Sequence, residues 1–420
     1  MADSVRTEFL HAWNGYKRYA WGHDALKPLS RTPHDWYGVS LYMTPVDAFD
    51  TMVLMGLTDE AAGAKKLILD SLTFDLDLEV QSFEITIRLL GGLLSAYQLD
   101  GDRRFLSLAE DLGARLLPVF SSPTGMPYRY VNLRTGRIRD SINNPAEIGT
   151  SLLEFGTLSK LTGKNIYYES SKKALRGLYA RRAPIGLVGT WINVETGEWV
   201  NPTSHIGGAI DSYYEYLVKS WLLFGDRECR EMWETHIGPI NRYLADTSAG
   251  GLWYGQADMN TGARTGTRFG ALEAFFPAVL ILGGDTARAA RLEESVFRMW
   301  NLYGIEPEEI DYQMMEVTSP QYVLRPEAIE SAYYLYRATG NPRYREMAEV
   351  FFAGLKKSCR TESGYAHLQS VVTGEKTDAM ESFFFAETLK YLYLIFAPDS
   401  VLPFGSAVFM TEAHPVRRTW

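Results

Sequence analysis

The chain has 420 residues and a formal net charge of −9, and its hydrophobic content of 46% is ample for a large buried core. The acidic balance excludes a surface built for nucleic-acid phosphates, and no apolar run is long enough to span a bilayer. Two cysteines, Cys229 and Cys359, allow at most one disulfide and form no metal-ligand pair.

The first residues lack a signal-peptide core, so an exported location (periplasmic or secreted) would require a leader already removed. Val46 to Leu57 reads as a helix ending at Gly56. Beyond Phe83, the apolar residues Ile87, Leu90, Leu94 and Tyr97 recur at spacings of three and four, the mark of one buried helical face. Gly101 then offers the left-handed backbone that ends a helix, and Phe105, Leu108 and Leu112 resume the period. The same helix–glycine–helix pattern recurs at Gly163, Gly225, Gly284 and Gly340, at intervals of 62, 62, 59 and 56 residues from Gly101 onward. Helix pairs are expected from Ala146 through Leu178, Asp211 through Tyr243 and Glu327 through Leu355, with a last helix over Met380 to Phe396.

Between the pairs, Gly125 to Ile138, Val188 to Val200 and Gly250 to Thr267 carry Thr-Gly turn signals beside β-branched and aromatic residues, which predicts hairpins. About seven helix pairs closed into a ring fit the length. The expected fold is therefore all-α: an (α/α)7 barrel in a single domain over 1–420, with short β-hairpins on one face.

Four repeats place an acid 13 to 17 residues before the glycine: Glu84, Glu147, Asp211 and Glu327. A closed ring would gather them on one rim, but helix N-termini attract acids in any case. Asn144-Pro145-Ala146-Glu147 spells an N-cap, a proline at the first helical position and a capping-box acid. Asp211 could itself be an N-cap, and Glu84 has Arg88 four residues on as a salt-bridge partner. Glu327 follows Pro326 in a first turn, which should keep it ionised, with Glu330 on the same face. Glu381 and Glu387 flank the run Phe383-Phe384-Phe385. The fourth repeat has Thr267 and Phe269 at the acids' offset and is expected to offer an apolar wall if the rim is a sugar pocket. There is no P-loop, Gly-x-Ser-x-Gly elbow or dinucleotide fingerprint, and the seven histidines show no zinc-ligand spacing. The remaining chemistry is carboxylate-based, and glycoside hydrolysis is the leading reaction that uses two carboxylates this way.

Longer motifs add a resemblance. Tyr16-Lys17-Arg18-Tyr19-Ala20-Trp21-Gly22, Val46-Asp47-Ala48-Phe49-Asp50-Thr51, Phe83 to Arg88 and Asp211 to Leu217 resemble glycoside hydrolase family 47, the inverting α-1,2-mannosidases. Leu324-Arg325-Pro326-Glu327, Met380-Glu381-Ser382-Phe383, Glu387 to Tyr391 and Thr411-Glu412-Ala413-His414-Pro415 continue the family's order. The resemblance implies an (α/α)7 barrel plugged by a C-terminal hairpin, and a Ca²⁺ ion held by the hydroxyl and carbonyl of Thr411 with waters. It implies Glu84 as general acid, Glu327 as general base and Asp211 as a third catalytic carboxylate, the division of acid and base roles between Asp211 and Glu327 being open. Arg88, Glu147, Arg325, Glu330, Glu381, Phe383, Glu387 and Glu412 match residues around the sugar. The implied partner is an oligosaccharide with terminal α-1,2-linked mannose, met by a monomer without nucleic acid or membrane span.

Three departures accompany the resemblance. Ala274 stands where eukaryotic members carry a cysteine that pairs with the one matching Cys359, so that disulfide is absent. Ala209, two residues before Asp211, replaces the Arg or Leu that helps set which branch is trimmed. The missing disulfide, the compact length and the absence of Asn-x-Ser/Thr acceptors suggest a bacterial member. A mannose-binding, lectin-like protein on the same barrel is the competing expectation, and a different helical-barrel sugar enzyme a more distant one.

Overall fold

The computed structural model describes residues 1–420, and helices dominate it. Fourteen helices of seven residues or more follow one another: α1 Ala2–Tyr19, α2 Met43–Leu54, α3 Thr58–Ser71, α4 Gly91–Asp100, α5 Arg103–Leu116, α6 Leu152–Thr162, α7 Ile166–Tyr179, α8 Asp211–Phe224, α9 Arg227–Pro239, α10 Phe276–Leu282, α11 Thr286–Trp300, α12 Glu327–Thr339, α13 Arg343–Cys359 and α14 Leu389–Phe396. The five turn glycines between paired helices all have positive φ, from 68° to 94°, a conformation in which a side chain would strain the chain. The repeating glycine is thus a backbone requirement of each helix pair.

The chain divides into two compact units. One comprises Met1–Ile68, Asp246–Trp253 and Thr267–Gly405. Here α10 packs on α11 and α12 on α13, and the two chain-distant helices α1 and α14 form a further pair. Its core is aromatic: Trp13 stacks on Tyr16 with ring centroids 5.2 Å apart, and Phe385 meets Trp13 edge-on at 5.8 Å. Lys390 and Asp50 form an ion pair at 2.7 Å within this core, buried on both sides.

The other unit comprises Leu69–Ala245, Tyr254–Gly266 and Ser406–Trp420, with the pairs α4–α5, α6–α7 and α8–α9. The expected hairpins are present as three-stranded antiparallel sheets. Tyr130–Asn132 pairs with Glu79–Gln81 and Ile138–Arg139, and Trp191–Asn193 with Ile142–Asn143 and Trp199–Asn201. A sheet not anticipated from sequence joins Arg268–Gly270, Glu309–Asp311 and Glu316–Ser319 in the first unit. The C-terminal hairpin, Val408–Phe409 with Pro415–Val416, packs against α8 and α4 of its own unit.

Three expected helices carry a π turn, one of them Ile240–Leu244 directly after α9. The segment from Phe83 is Ser82–Ile85, then a π-helical turn Thr86–Leu90, then α4. The last helix begins with a π turn over Phe384–Thr388, not at Met380. A π turn adds one residue to a helical turn and shifts the faces that follow, a device frequent at functional sites. Apolar spacing alone reads through it as regular helix.

Candidate active site

The sequence-derived candidates fall in both units, and each group has its own local architecture. In the second unit, the strand Glu79–Gln81 runs straight into the helical turn that carries Glu84. Arg88 Nε donates to Glu84 Oε2 at 2.9 Å, and the same guanidinium pairs with Glu412. Arg88 and Glu412 are buried, while Glu84 keeps a quarter of its side chain exposed (24%). The salt bridge anticipated for Glu84 is therefore present, and it extends to the residue beside Thr411.

Glu147 accepts four side-chain hydrogen bonds. Arg129 donates to both of its oxygens at 2.9 and 2.8 Å, and Gln81 and Asn144 side-chain amides donate at 3.0 and 2.9 Å. Asn144 caps the short helix Pro145–Gly149, which breaks before α6, and accepts from the Glu147 backbone N–H at 3.0 Å. Arg129 also lies over the Trp191 ring, 5.4 Å from its centroid. Asp211 is the first residue of α8 and not its N-cap, which is Ile210. Its carboxylate accepts from the Ser212 backbone N–H at 2.7 Å and from the Ser212 hydroxyl at 3.2 Å. Thr411 sits at the tip of the C-terminal hairpin, where its N–H donates to the Tyr216 hydroxyl at 3.1 Å.

In the first unit, Glu327 opens α12. Arg325 is 3.9 Å from its Oε1, but that guanidinium is directed to Glu308, with Nε 3.1 and 3.2 Å from the two Glu308 oxygens. Glu327 Oε2 is shut off from solvent with no hydrogen-bond partner. Burial dominates its titration and pushes its pKa up to about 8, against the opposing charge of Arg325. The expectation that a first-turn position keeps Glu327 ionised is thus corrected: desolvation outweighs the helix terminus. Glu330, one turn on, accepts from the Tyr391 hydroxyl at 3.1 Å. Glu381, Phe383 and Glu387 lie on the segment leading into and through the π turn Phe384–Thr388, with Glu387 inside it. The Ser382 hydroxyl donates to Asp47, and the Thr51 hydroxyl to the Phe385 carbonyl at 2.9 Å, which anchors that segment on α2.

Phe269 does not supply an apolar wall. It is fully buried, edge-on to Trp253 at 5.2 Å, because the strand Arg268–Gly270 turns that side chain into the core. Cys229 and Cys359 are free, buried thiols.

Backbone strain marks the same places. Ala209 (φ 73°), Leu324 (φ 64°) and Ala413 (φ 56°) occupy the left-handed region, two or three residues from Asp211, Glu327 and Thr411 respectively. Sequence reasoning also missed Arg129, Glu308 and the fully buried Glu306, Glu154 and Tyr216. Of these, only Tyr216 lay inside a recognised motif. Arg129 and Glu308 act through pairings far apart in sequence that no local spacing announces.

Residues 8–418 match the family model for glycosyl hydrolase family 47. The chain is 39% identical over 435 residues to alpha-mannosidase I MNS4 of Arabidopsis thaliana, covering 99% of this chain and 69% of the relative. It is 37% identical over 445 residues to mannosyl-oligosaccharide 1,2-alpha-mannosidase IB of Homo sapiens, again covering 99% of this chain and 69% of the relative. Among solved structures, the alpha-1,2-mannosidase from Trichoderma reesei matches with a TM-score of 0.92 at 30% identity, over 99% of this chain and 98% of that one. That likeness bears out the (α/α)7 fold class expected from the repeats. The chain belongs to glycosyl hydrolase family 47 and is a glycoside hydrolase.

Proposed function

We propose that this protein is a calcium-dependent, inverting exo-α-1,2-mannosidase acting as one catalytic domain on oligosaccharides with terminal α-1,2-linked mannose. The observation that carries the reading is the Glu84–Arg88–Glu412 arrangement beside Thr411, which ties a candidate acid to the residue next to the candidate metal ligand. The names of the relatives, mannosidases with two of them specified as 1,2-linked, support the substrate class.

The chemistry of the donors fits calcium. Thr411 offers hydroxyl and carbonyl oxygens, its own N–H being taken by Tyr216, and no group of three or more His, Cys, Asp or Glu forms a direct cage. Hard oxygen donors with a water-rich shell suit Ca²⁺ and not the softer transition metals. When bound, the ion would orient sugar hydroxyls and the attacking water.

The protein's own groups then divide the proton transfers. Glu327 accepts a proton from the water as its oxygen bonds to the anomeric carbon. Glu84 delivers a proton, directly or through a second water, to the leaving glycosidic oxygen as the carbon–oxygen bond breaks. One displacement turns an α-linked mannoside into β-mannose. Asp211 is the third carboxylate of the set, and Arg325, Glu330, Glu381, Phe383, Glu387, Glu147 and Glu412 bind and orient the sugar and its waters.

The test is NMR of α-1,2-mannobiose during hydrolysis, with and without EDTA. β-Mannose as the first product, lost with EDTA, is the expected result. α-Mannose as the first product would overturn inversion, and full activity in EDTA would overturn the calcium requirement. Binding without hydrolysis would favour a lectin.

A further inference from the structure

The tip of the C-terminal hairpin is tied to the unit beneath it by two hydrogen bonds in series. Thr411 N–H donates to the Tyr216 hydroxyl oxygen at 3.1 Å, and that hydroxyl donates to Glu154 Oε1 at 2.5 Å. Glu154 on α6 and Tyr216 on α8 expose no surface at all. The other oxygen of Glu154, Oε2, has no hydrogen-bond partner.

A carboxylate with one oxygen left without a hydrogen-bond partner is costly to bury. Burial accordingly pushes the Glu154 pKa up to about 8; the Tyr216 hydroxyl, the Glu154 N–H and nearby His414 pull it down, and Glu215 pushes it further up. The side chain is therefore a neutral acid around neutral pH, and its Oε1 serves as a carbonyl-type acceptor. The hairpin is also seated tightly. A Cβ added at Gly91, the first residue of α4, would come within 3.1 Å of both His414 Cδ2 and Met410 Sδ, and 3.8 Å from Glu154 Cγ. A side chain there would require His414 and Met410 to give by a few tenths of an ångström, whereas Glu154 lies at ordinary contact distance.

We propose that Glu154 and Tyr216 are positioning residues that latch the Thr411 tip, Tyr216 through its hydroxyl and Glu154 as a hydrogen-bond acceptor rather than as a charge. With the Thr411 N–H held, its hydroxyl and carbonyl oxygens are presented in one arrangement. The latch thereby sets the affinity for a divalent cation at Thr411, a consequence that rests on the calcium reading above.

Three variants separate the parts. Tyr216→Phe keeps the ring and removes both hydrogen bonds. Glu154→Gln keeps an acceptor of the same shape without a titratable proton. Glu154→Leu keeps bulk and removes the acceptor. Two readouts are taken on the full chain: hydrogen exchange of peptides covering Met410–His414, and calorimetric titration of chelator-stripped protein with calcium alone. Exchange in α9 serves as the internal reference for global loosening.

Tyr216→Phe and Glu154→Leu should speed hairpin exchange relative to α9 by about tenfold and weaken calcium binding by a similar factor, the size of one buried hydrogen bond. Glu154→Gln should stay within about twofold of the parent on both. Unchanged hairpin exchange in Tyr216→Phe overturns the latch, and a Glu154→Gln variant as loose as Tyr216→Phe overturns the neutral-acceptor role. A parent that binds no calcium overturns the calcium reading alone, and hairpin exchange then decides the latch.

Discussion

The candidate carboxylates of the two units are managed in opposite ways. In the second unit three of the four are paired with arginines, Glu84 and Glu412 sharing Arg88 and Glu147 taking both arms of Arg129, while Asp211 accepts from Ser212. In the first unit Arg325 is directed to Glu308, standing 3.9 Å from one oxygen of Glu327, and the other Glu327 oxygen is buried without a hydrogen-bond partner. Paired carboxylates are held in a fixed geometry by their guanidinium partners. An unpaired buried one holds its proton more tightly, its pKa raised to about 8. A general base must be ionised when it acts, so Glu327 works in the fraction that has lost its proton, where its raised pKa makes it a stronger acceptor than a carboxylate committed to a guanidinium.

The largest effect should come from the unpaired side. Glu327→Gln is nearly isosteric and abolishes proton acceptance, so kcat on α-1,2-mannobiose should fall by about 10³-fold, within the range for losing a general base. KM should change little, because a residue acting on the proton contributes mainly in the transition state. A variant that retains more than a tenth of the parent's kcat would show that another carboxylate is the base, with Asp211 the first to test.

The paired side should respond in stability instead. Arg88→Met retains much of the side chain's bulk but strands Glu412, which is 3% exposed, and releases Glu84. Removing one partner of a buried pair costs about 3–5 kcal/mol, and the lower end fits here because Glu84 reaches solvent. Urea unfolding should show that loss, and adding Glu412→Gln to Arg88→Met should recover part of it. A double variant no more stable than the single would mean that the stranded charge is not the cause.

How much of this could be read in the sequence depends on the range of the interaction. The helix pairs were legible because their determinants are local: apolar spacing within a helix and a glycine with φ near 68–94° after it. The Glu84–Arg88 bridge and the Asn144 cap were legible for the same reason, being four and three residues apart. The contacts Arg88–Glu412, Arg129–Glu147 and Thr411–Tyr216 span 324, 18 and 195 residues, and spacing rules are silent on them. The family motifs brought in Thr411 and Glu412 without saying what holds them. The π turns escaped because they alter the phase of a helix without altering its composition; of the two readings of Asp211, the helix start is the one observed, and Ile210 caps without a side-chain bond. Glu327 was misjudged on electrostatics: a first-turn position is visible in sequence, whereas burial without a partner is not.

That last point gives the smallest and most diagnostic effect. In chelator-treated protein the unfolded Glu327 carboxyl loses its proton near the ordinary value of 4.5, while the folded one keeps it to about 8. Between those values the native state binds more protons than the unfolded state, so this residue makes stability fall as pH rises. Below the window both states are protonated and above it both are ionised, so the slope is confined to the window. One such group contributes at most about 1.4 kcal/mol per pH unit, and the coexisting titration of Glu154 has the same sign. Urea unfolding at several pH values across the window should therefore give a shallower decline for Glu327→Gln than for the parent, by about 1 kcal/mol per pH unit. Its stability should also be greater at the alkaline end, where the parent must bury a charge or retain a proton against the solvent. Parallel curves for the two proteins would mean that water or a cation reaches Glu327 Oε2 in solution, and the contrast between paired and unpaired carboxylates would then lose its electrostatic basis.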